Sequence, residues 1–450
     1  MLSINNINPF HQLLYVIIIA SIGFILIPIH FNIVQVSRDT LELITLFNWL
    51  VISVILIYAI PKGIWSISFF FFFTFSIFHG GLVFVSAIDM ITDQAILKAI
   101  RYWYPLQETS LAIYLFNYTM VLYAITVIIF SKAPVPAQET IHSKLIKRLH
   151  HIGGLMLLFM VLVFFAIGFG TGALSSYGAY LEIVKKSPLI TLIFVYIYLF
   201  IGMSIVFVAA SYREGFGYTY FIVFAIWGLL AFKVGLRGEV MFPTAVTAAI
   251  LGRRRIPLKT HKLFLAVTLM LFATIIVKNA RISGDYSSVD NINPLNAIAE
   301  MGSSLRAIEE VITWRNTGFE LLNGESYWAP IERQLALFLP IERLPSLQDK
   351  RLLNVVVMEK AGPIGFSPVA EAYANFGEKG IIIMSLVLGG LFAKLDRISS
   401  TLRSDILIGV AIIPLFVMIR NSFAFIPVQI FIGLVLAFII LQLAKVKVDT

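Results

Sequence analysis

Three arginines and one glutamate stand where orientation in a membrane gives no reason for charge. Arg237 and Glu239 fall in the tight turn "GLRGEVMFP", Arg281 closes one apolar run with Asp285 nearby, and Arg420 closes another with Asn421. A guanidinium is a planar fork of donors that grips phosphate oxygens two at a time, and flanking glycines such as Gly235 and Gly238 let an anionic group come close. Lipid-headgroup anchoring is the competing explanation for each arginine alone. Together they place three cations from distant parts of the chain at one membrane face. The fourth group is Glu371, in "FSPVAEAYANFGEKGIIIMSLVLGG". Ser367 is placed to cap a short helix, Pro368 fits its first position, and Glu371 falls in the first turn, where the helix dipole favours an anion. Gly377 ends that helix and Gly380 opens an apolar run, so the carboxylate is held just outside the bilayer. It is there either as a general base beside a cationic phosphate site or only to stabilise its own helix. Glu239 is the reserve base. Glu300, Glu309 and Glu310 are competing carboxylates, of which Glu310 is placed to pair with Arg306 one turn away.

The elements that must hold these groups are membrane helices. Hydrophobic residues make up 59% of the 450 and charged ones 13%, against roughly 25% charged in soluble domains. Repeated apolar runs of about 18 residues or more define an all-α polytopic integral membrane protein. Twelve spans are expected, centred near 13–31, 42–60, 64–87, 110–130, 152–172, 188–209, 219–236, 238–251, 263–279, 380–394, 406–420 and 424–443. The first shows no cleavage signature and is read as retained. Much of the +9 net charge lies in short connectors such as Lys144 to Arg148, Arg253 to Arg255 and Lys394 to Arg403. The positive-inside rule puts those in the cytoplasm, with both termini, and leaves no reason to invoke nucleic acid.

This divides the chain into a membrane domain over 1–279, an outward loop domain over 280–379, and a second membrane portion over 380–450 with a cytoplasmic carboxyl terminus. A loop of that length is usually functional. In it Asn293-Pro294 is a cap pair, and Leu295, Ile298, Leu305, Ile308 and Ile312 follow at helical spacing, predicting one amphipathic helix that ends before Gly318. The segment "YWAPIERQLALFLPIERLPS" predicts short helices bent at Pro330, Pro340 and Pro345. The run Phe69 to Phe73 reads as packing or lipid-facing surface. Trp314 and Trp328 suit either a groove or the membrane interface.

The chain has no cysteine and its seven histidines are scattered. There is no Walker A loop, HExxH pair or dinucleotide fingerprint. Thiol chemistry is excluded, and neither a metal site nor a nucleotide cofactor is supported.

"GLRGEVMFP", "FSPVAEAYANFGEKGIIIMSLVLGG" and "MIRNSFAFIPVQIF" resemble the Wzy-type O-antigen polysaccharide polymerases of Gram-negative bacteria. The likeness covers the carboxyl-terminal half, and the amino-terminal spans match only in being hydrophobic. It implies a glycosyltransferase of the GT-C class in the bacterial inner membrane, working at the periplasmic face in lipopolysaccharide biosynthesis. Such an enzyme passes a growing glycan from undecaprenyl pyrophosphate to the next lipid-linked repeat unit, with inversion. It needs no cofactor, because the pyrophosphate is the leaving group. Its partners are the lipid-linked repeat units and membrane lipids, and whether it works with a chain-length regulator stays open. On this reading Arg237, Arg281 and Arg420 bind the donor pyrophosphate and Glu371 takes the acceptor proton. Tyr373 and Asn375 orient sugars, or only pack their helix. Rival readings are an O-antigen ligase transferring the glycan to lipid A core, a flippase for lipid-linked oligosaccharide, and a transferase using a polyprenyl monophosphate sugar. A flippase would carry its binding site near the midplane. The last would place acidic residues in the first outer loop, where Asp39 stands alone beside Arg38.

Overall fold

The computed structural model describes residues 8–31, 33–92, 102–134, 143–213, 215–233, 235–254, 293–336, 339 and 344–446. Every regular element among them is helical. In chain order they are α1 (Pro9–His30), α2 (Arg38–Ala59), α3 (Ile67–Thr92), α4 (Gln107–Phe130), α5 (Ser143–Gly170), α6 (Tyr177–Lys186), α7 (Pro188–Ser211), α8 (Thr219–Lys233) and α9 (Arg237–Arg253). There follow α10 (Pro294–Met301), α11 (Leu305–Asn316), α12 (Glu325–Leu335), α13 (Leu353–Lys360), α14 (Pro368–Phe376), α15 (Glu378–Arg397), α16 (Leu402–Val417) and α17 (Ile426–Val446). Among the described residues eight segments are long and apolar enough to cross a membrane: α1 to α5, α7, and the stretches Leu402–Arg420 and Phe423–Lys445. The chain is therefore a multi-pass membrane protein. Three other expected spans fall on the helices α8, α9 and α15, which are not among those eight; the expected span at 263–279 lies outside the described residues.

The chain forms two compact units. The first comprises residues 1–135, 298–398 and 418–428. Helices α1 and α2 start where side chains can receive orphan amides: Asn8 accepts from Phe10 N at 3.0 Å and Ser37 from Thr40 N at 3.2 Å. Asp396, at the far end of α15, caps α3 across 328 residues, accepting from Ile67 N at 2.8 Å, Ser68 N at 3.0 Å and Ser68 Oγ at 2.6 Å. Arg38 is likewise committed, with Glu42 at 3.0 Å, Ser110 at 2.8 Å and the Tyr104 carbonyl at 3.2 Å. The phenylalanine run of α3 is mostly core, with Phe71 stacked 4.2 Å from Phe392.

The amphipathic helix expected from Leu295 begins as read, with Leu295 N bonded to the Asn293 side chain at 3.0 Å. It does not continue to 316 in one piece. A 3-10 turn at Gly302–Ser304 separates α10 from α11. There Gly302 lies against the α3 backbone so closely that a Cβ would sit 2.0 Å from Leu82 N. Periodicity within the segment carries no trace of that neighbour. Pro330 stands inside α12, Pro345 precedes the 3-10 turn Ser346–Gln348, and Pro340 lies outside the described residues.

The second unit comprises residues 136–297, 399–417 and 429–450. Its core gathers Leu157, Phe164, Phe194, Ile201, Trp227 and Val240. Arg253 and Arg254, which the sequence offered only as orientation signals, bond to Asp405 at 2.9 and 3.0 Å, and Ser400 Oγ donates to the same carboxylate at 2.6 Å. The Arg253 and Asp405 side chains are fully buried.

Candidate functional site

The short helix α14 begins as its local sequence dictates. Ser367 Oγ accepts from Val369 N at 3.2 Å, Pro368 takes the first position, and Glu371 lies in the first turn. Gly377, at φ +61°, ends the helix. What the local sequence did not show is how the cap is itself held: His79, buried in α3, places Nε2 2.7 Å from Ser367 Oγ while Nδ1 meets the Phe75 carbonyl at 3.0 Å. The far end is fixed as tightly, because a Cβ on Gly380 of α15 would lie 2.0 Å from the Ala372 carbonyl oxygen. The helix that carries Glu371, Tyr373 and Asn375 is thus held at both ends by backbone and buried polar contacts.

Glu371 is 1% exposed. Ser326 Oγ donates to its Oε1 at 2.8 Å, and the Phe423 amide donates to its Oε2 at 2.7 Å. Asn375, one turn on, donates to Ser326 Oγ at 2.7 Å and accepts from Gly324 N at 3.0 Å. Burial pushes the Glu371 carboxyl from 4.5 up to about 7, against the smaller downward pull of its two hydrogen bonds. Neither donor is a cation. The group is therefore poised to gain or lose a proton near neutral pH, the property a general base needs. Asn375 braces the carboxylate's hydroxyl partner rather than facing outward. Tyr373 is half-buried, and its hydroxyl is pushed above its ordinary range by burial and then by the Glu378 carboxylate.

Arg420 belongs to the same unit. Its carbonyl accepts from Phe366 N at 2.9 Å, which ties the 3-10 turn Met418–Arg420 to the residues just before α14. Among the described residues no carboxylate or other acceptor engages its guanidinium, which is half-buried. Arg237 and Glu239 open α9 in the second unit, the arginine 7% exposed. Arg281 lies outside the described residues.

Of the competing carboxylates, Glu310 is occupied as expected, with Arg306 Nη2 at 3.0 Å, and it also accepts from Trp314 Nε1 at 3.3 Å. Trp314 is core, whereas Trp328 is exposed. Glu309 differs from both. It is buried, bonded by Thr313 at 3.2 Å through one oxygen, and its Oε2 is buried without a hydrogen-bond partner. Burial, and then the Glu310 charge, push its carboxyl to about 7. It is the rival to Glu371 on electrostatic grounds. Among the described residues no three His, Asp or Glu side chains converge as metal ligands would.

Ser326, Phe423 N and His79 were missed by sequence reasoning. The first two touch Glu371 across 45 and 52 residues, and the third touches Ser367 across 288. Only Ser326 carried any local signal, as a polar residue in the first turn after Gly324.

Comparison with known proteins bears on all of this. Protein CapE of Staphylococcus aureus is 26% identical over 311 residues, covering 68% of this chain and 68% of that protein. No solved structure matches. The family described as O-antigen polysaccharide polymerase Wzy matches residues 13–448, so the likeness runs through the amino-terminal spans that carried no motif. The chain belongs to the O-antigen polysaccharide polymerase Wzy family.

Proposed function

We propose that this protein is a polysaccharide polymerase that transfers a glycan from undecaprenyl pyrophosphate to the terminal sugar of a lipid-linked repeat unit, with inversion, at the periplasmic face of the bacterial inner membrane. The twelve-span topology and the outward loop domain over 280–379 belong to this reading. The observation that carries it is Glu371, a buried carboxyl raised to about 7 and held by neutral donors on a helix fixed at both ends. Family membership supports the reaction class.

The step follows from ordinary chemistry. Glu371 takes the proton of the acceptor hydroxyl, whose oxygen attacks the anomeric carbon. The bond from that carbon to the pyrophosphate oxygen breaks, and undecaprenyl pyrophosphate leaves with the electron pair. Arg237, Arg281 and Arg420 neutralise the charge that develops on it, a stabilisation that matters most where water is excluded. Ser326 and Phe423 cover the carboxylate, so α12 must lift Ser326 away before the acceptor hydroxyl can reach it. Glu239 is the reserve base.

The test uses purified protein and lipid-linked repeat units, with no other added component, and resolves products as a ladder spaced by one repeat. A ladder that is lost in Arg420→Ala supports the reading. No ladder, but transfer once lipid A core is added, would make the protein a ligase. Lipid-linked substrate crossing liposomes, with neither product formed, would make it a flippase.

A further inference from the structure

At the carboxyl end of α1 in the first unit, His30 Nε2 meets Glu378 Oε1 of α15 at 3.1 Å. Tyr114 and Tyr118, one turn apart on α4, set their rings edge-on to the imidazole at centroid distances of 5.8 and 5.9 Å. Tyr373 of α14 is close enough to Glu378 for that carboxylate to act on its hydroxyl.

The polar atoms of this cluster are largely uncommitted. His30 Nδ1 is buried without a hydrogen-bond partner, and the Glu378 side chain is 58% exposed. Among the described residues no partner meets the hydroxyls of Tyr114, Tyr118 or Tyr373. Two other tyrosines of the unit do have partners: Tyr104 donates to Glu42 at 2.8 Å and Tyr123 to the Ser68 carbonyl at 2.9 Å.

We propose that His30, Tyr114, Tyr118, Tyr373 and Glu378 form a saccharide subsite that takes one pyranose ring of the lipid-linked substrate. A pyranose presents an apolar C–H face and a rim of hydroxyls. Aromatic rings match the first, and a carboxylate with phenolic and imidazole groups matches the second. The cluster joins the ends of α1 and α15 to α14, the helix that carries Glu371, so a sugar held here is anchored to the element that presents the base. Interfacial tyrosines also serve as membrane anchors. An anchor, however, calls for no His–Glu pair with a buried, uncommitted ring nitrogen. The proposal rests on the polymerase reading for the identity of its ligand.

The test measures binding apart from turnover. The probe is the free oligosaccharide of one repeat unit, without its polyprenyl carrier, titrated into the purified full chain in nanodiscs by calorimetry. In parallel, kcat and KM are measured with the lipid-linked repeat unit. In Glu378→Gln and Tyr118→Ala the oligosaccharide Kd and the substrate KM should each rise about tenfold or more, a change of about 1.4 kcal/mol for each factor of ten. Tyr114→Phe, which keeps the ring and drops only the hydroxyl, covers the chance that truncation unfolds the protein, and it should give a smaller rise in the same two constants. An unchanged Kd in folded Glu378→Gln and Tyr114→Phe would overturn the subsite, as would lowered thermal stability in nanodiscs with no change in Kd. Polymer formed with unaltered KM would reject the subsite and leave the polymerase standing. Oligosaccharide binding that is weakened by these substitutions, in a protein that makes no polymer, would keep the subsite and reject the polymerase.

Discussion

Glu371 and Asp405 are both buried carboxylates, and they differ in the company they keep. Asp405 in the second unit sits against two guanidiniums and a serine hydroxyl. Glu371 in the first unit has a serine hydroxyl and a backbone amide, and among the described residues no cation bonds to it. The first arrangement fixes charge in place, because losing either sign takes a buried opposite charge away from the other. The second leaves the carboxyl near its titration point. The chain thus separates a carboxylate that holds helices together from one whose proton can move.

The largest expected effect falls on the first kind. Asp405→Ala leaves Arg253 and Arg254 without their shared partner and should cost about 3–5 kcal/mol, read as a large fall in thermal unfolding temperature and folded yield in detergent. A stability within about 1 kcal/mol of the parent would mean that the pairing is incidental. Glu371→Gln should do the opposite. The amide has the same shape and keeps an acceptor for Phe423 N, so folding should change little while polymer formation falls about a hundredfold or more, the range for losing a general base. Near-normal polymer would remove Glu371 from the chemistry and point to Glu309 or Glu239.

Gly380→Ala sharpens the same contrast without touching a charge. The added methyl meets the Ala372 carbonyl and must push α14 away from α15. About 1–3 kcal/mol of stability should be lost, with activity falling further than stability alone explains, because Glu371 and Tyr373 move with the helix. Equal losses in both would mean that α14 is scaffold only.

How much of this was legible beforehand depends on the range of each interaction. Ser367, Pro368, Glu371 and Gly377 follow capping rules that act over a single turn, and the helix they predict is observed from Pro368 to Phe376. The Arg306–Glu310 pair is equally local and equally visible. Gly302 divides the loop helix because of Leu82, more than two hundred residues earlier, and no pattern within the segment reports it. Arg253 and Arg254 read as orientation signals because Asp405 comes some 150 residues later. Glu371 was visible as a carboxylate, but its raised titration point was not, since that arises from burial by the folded chain, which outweighs the downward pull of Ser326 and Phe423.

The pH dependence tests the contrast on one group. The folded protein holds the Glu371 carboxyl at about 7 instead of 4.5, so the folded state keeps a proton that the unfolded chain releases between those values. Its contribution to stability is full below 4.5 and is lost as pH rises through about 7. Activity should run the other way, rising with pH through about 7 as the base becomes free to accept a proton. Glu371→Gln should flatten the stability trend.

The smallest expected effect is the most specific. Ser326→Ala removes one donor from Oε1 of Glu371 and leaves Asn375 Nδ2 with only the Glu371 carbonyl, at 2.7 Å. That hydrogen bond favours the ionised carboxylate, so its loss should move the acid limb of the activity profile to higher pH, and the protein should lose about 1 kcal/mol of stability. Moving the limb upward while the maximal rate at high pH stays within a few-fold of the parent would identify Ser326 as a group that tunes the base and then steps aside. A collapse of rate at every pH would instead mean that the hydroxyl passes the proton itself, and the acceptor would then never need to touch Glu371.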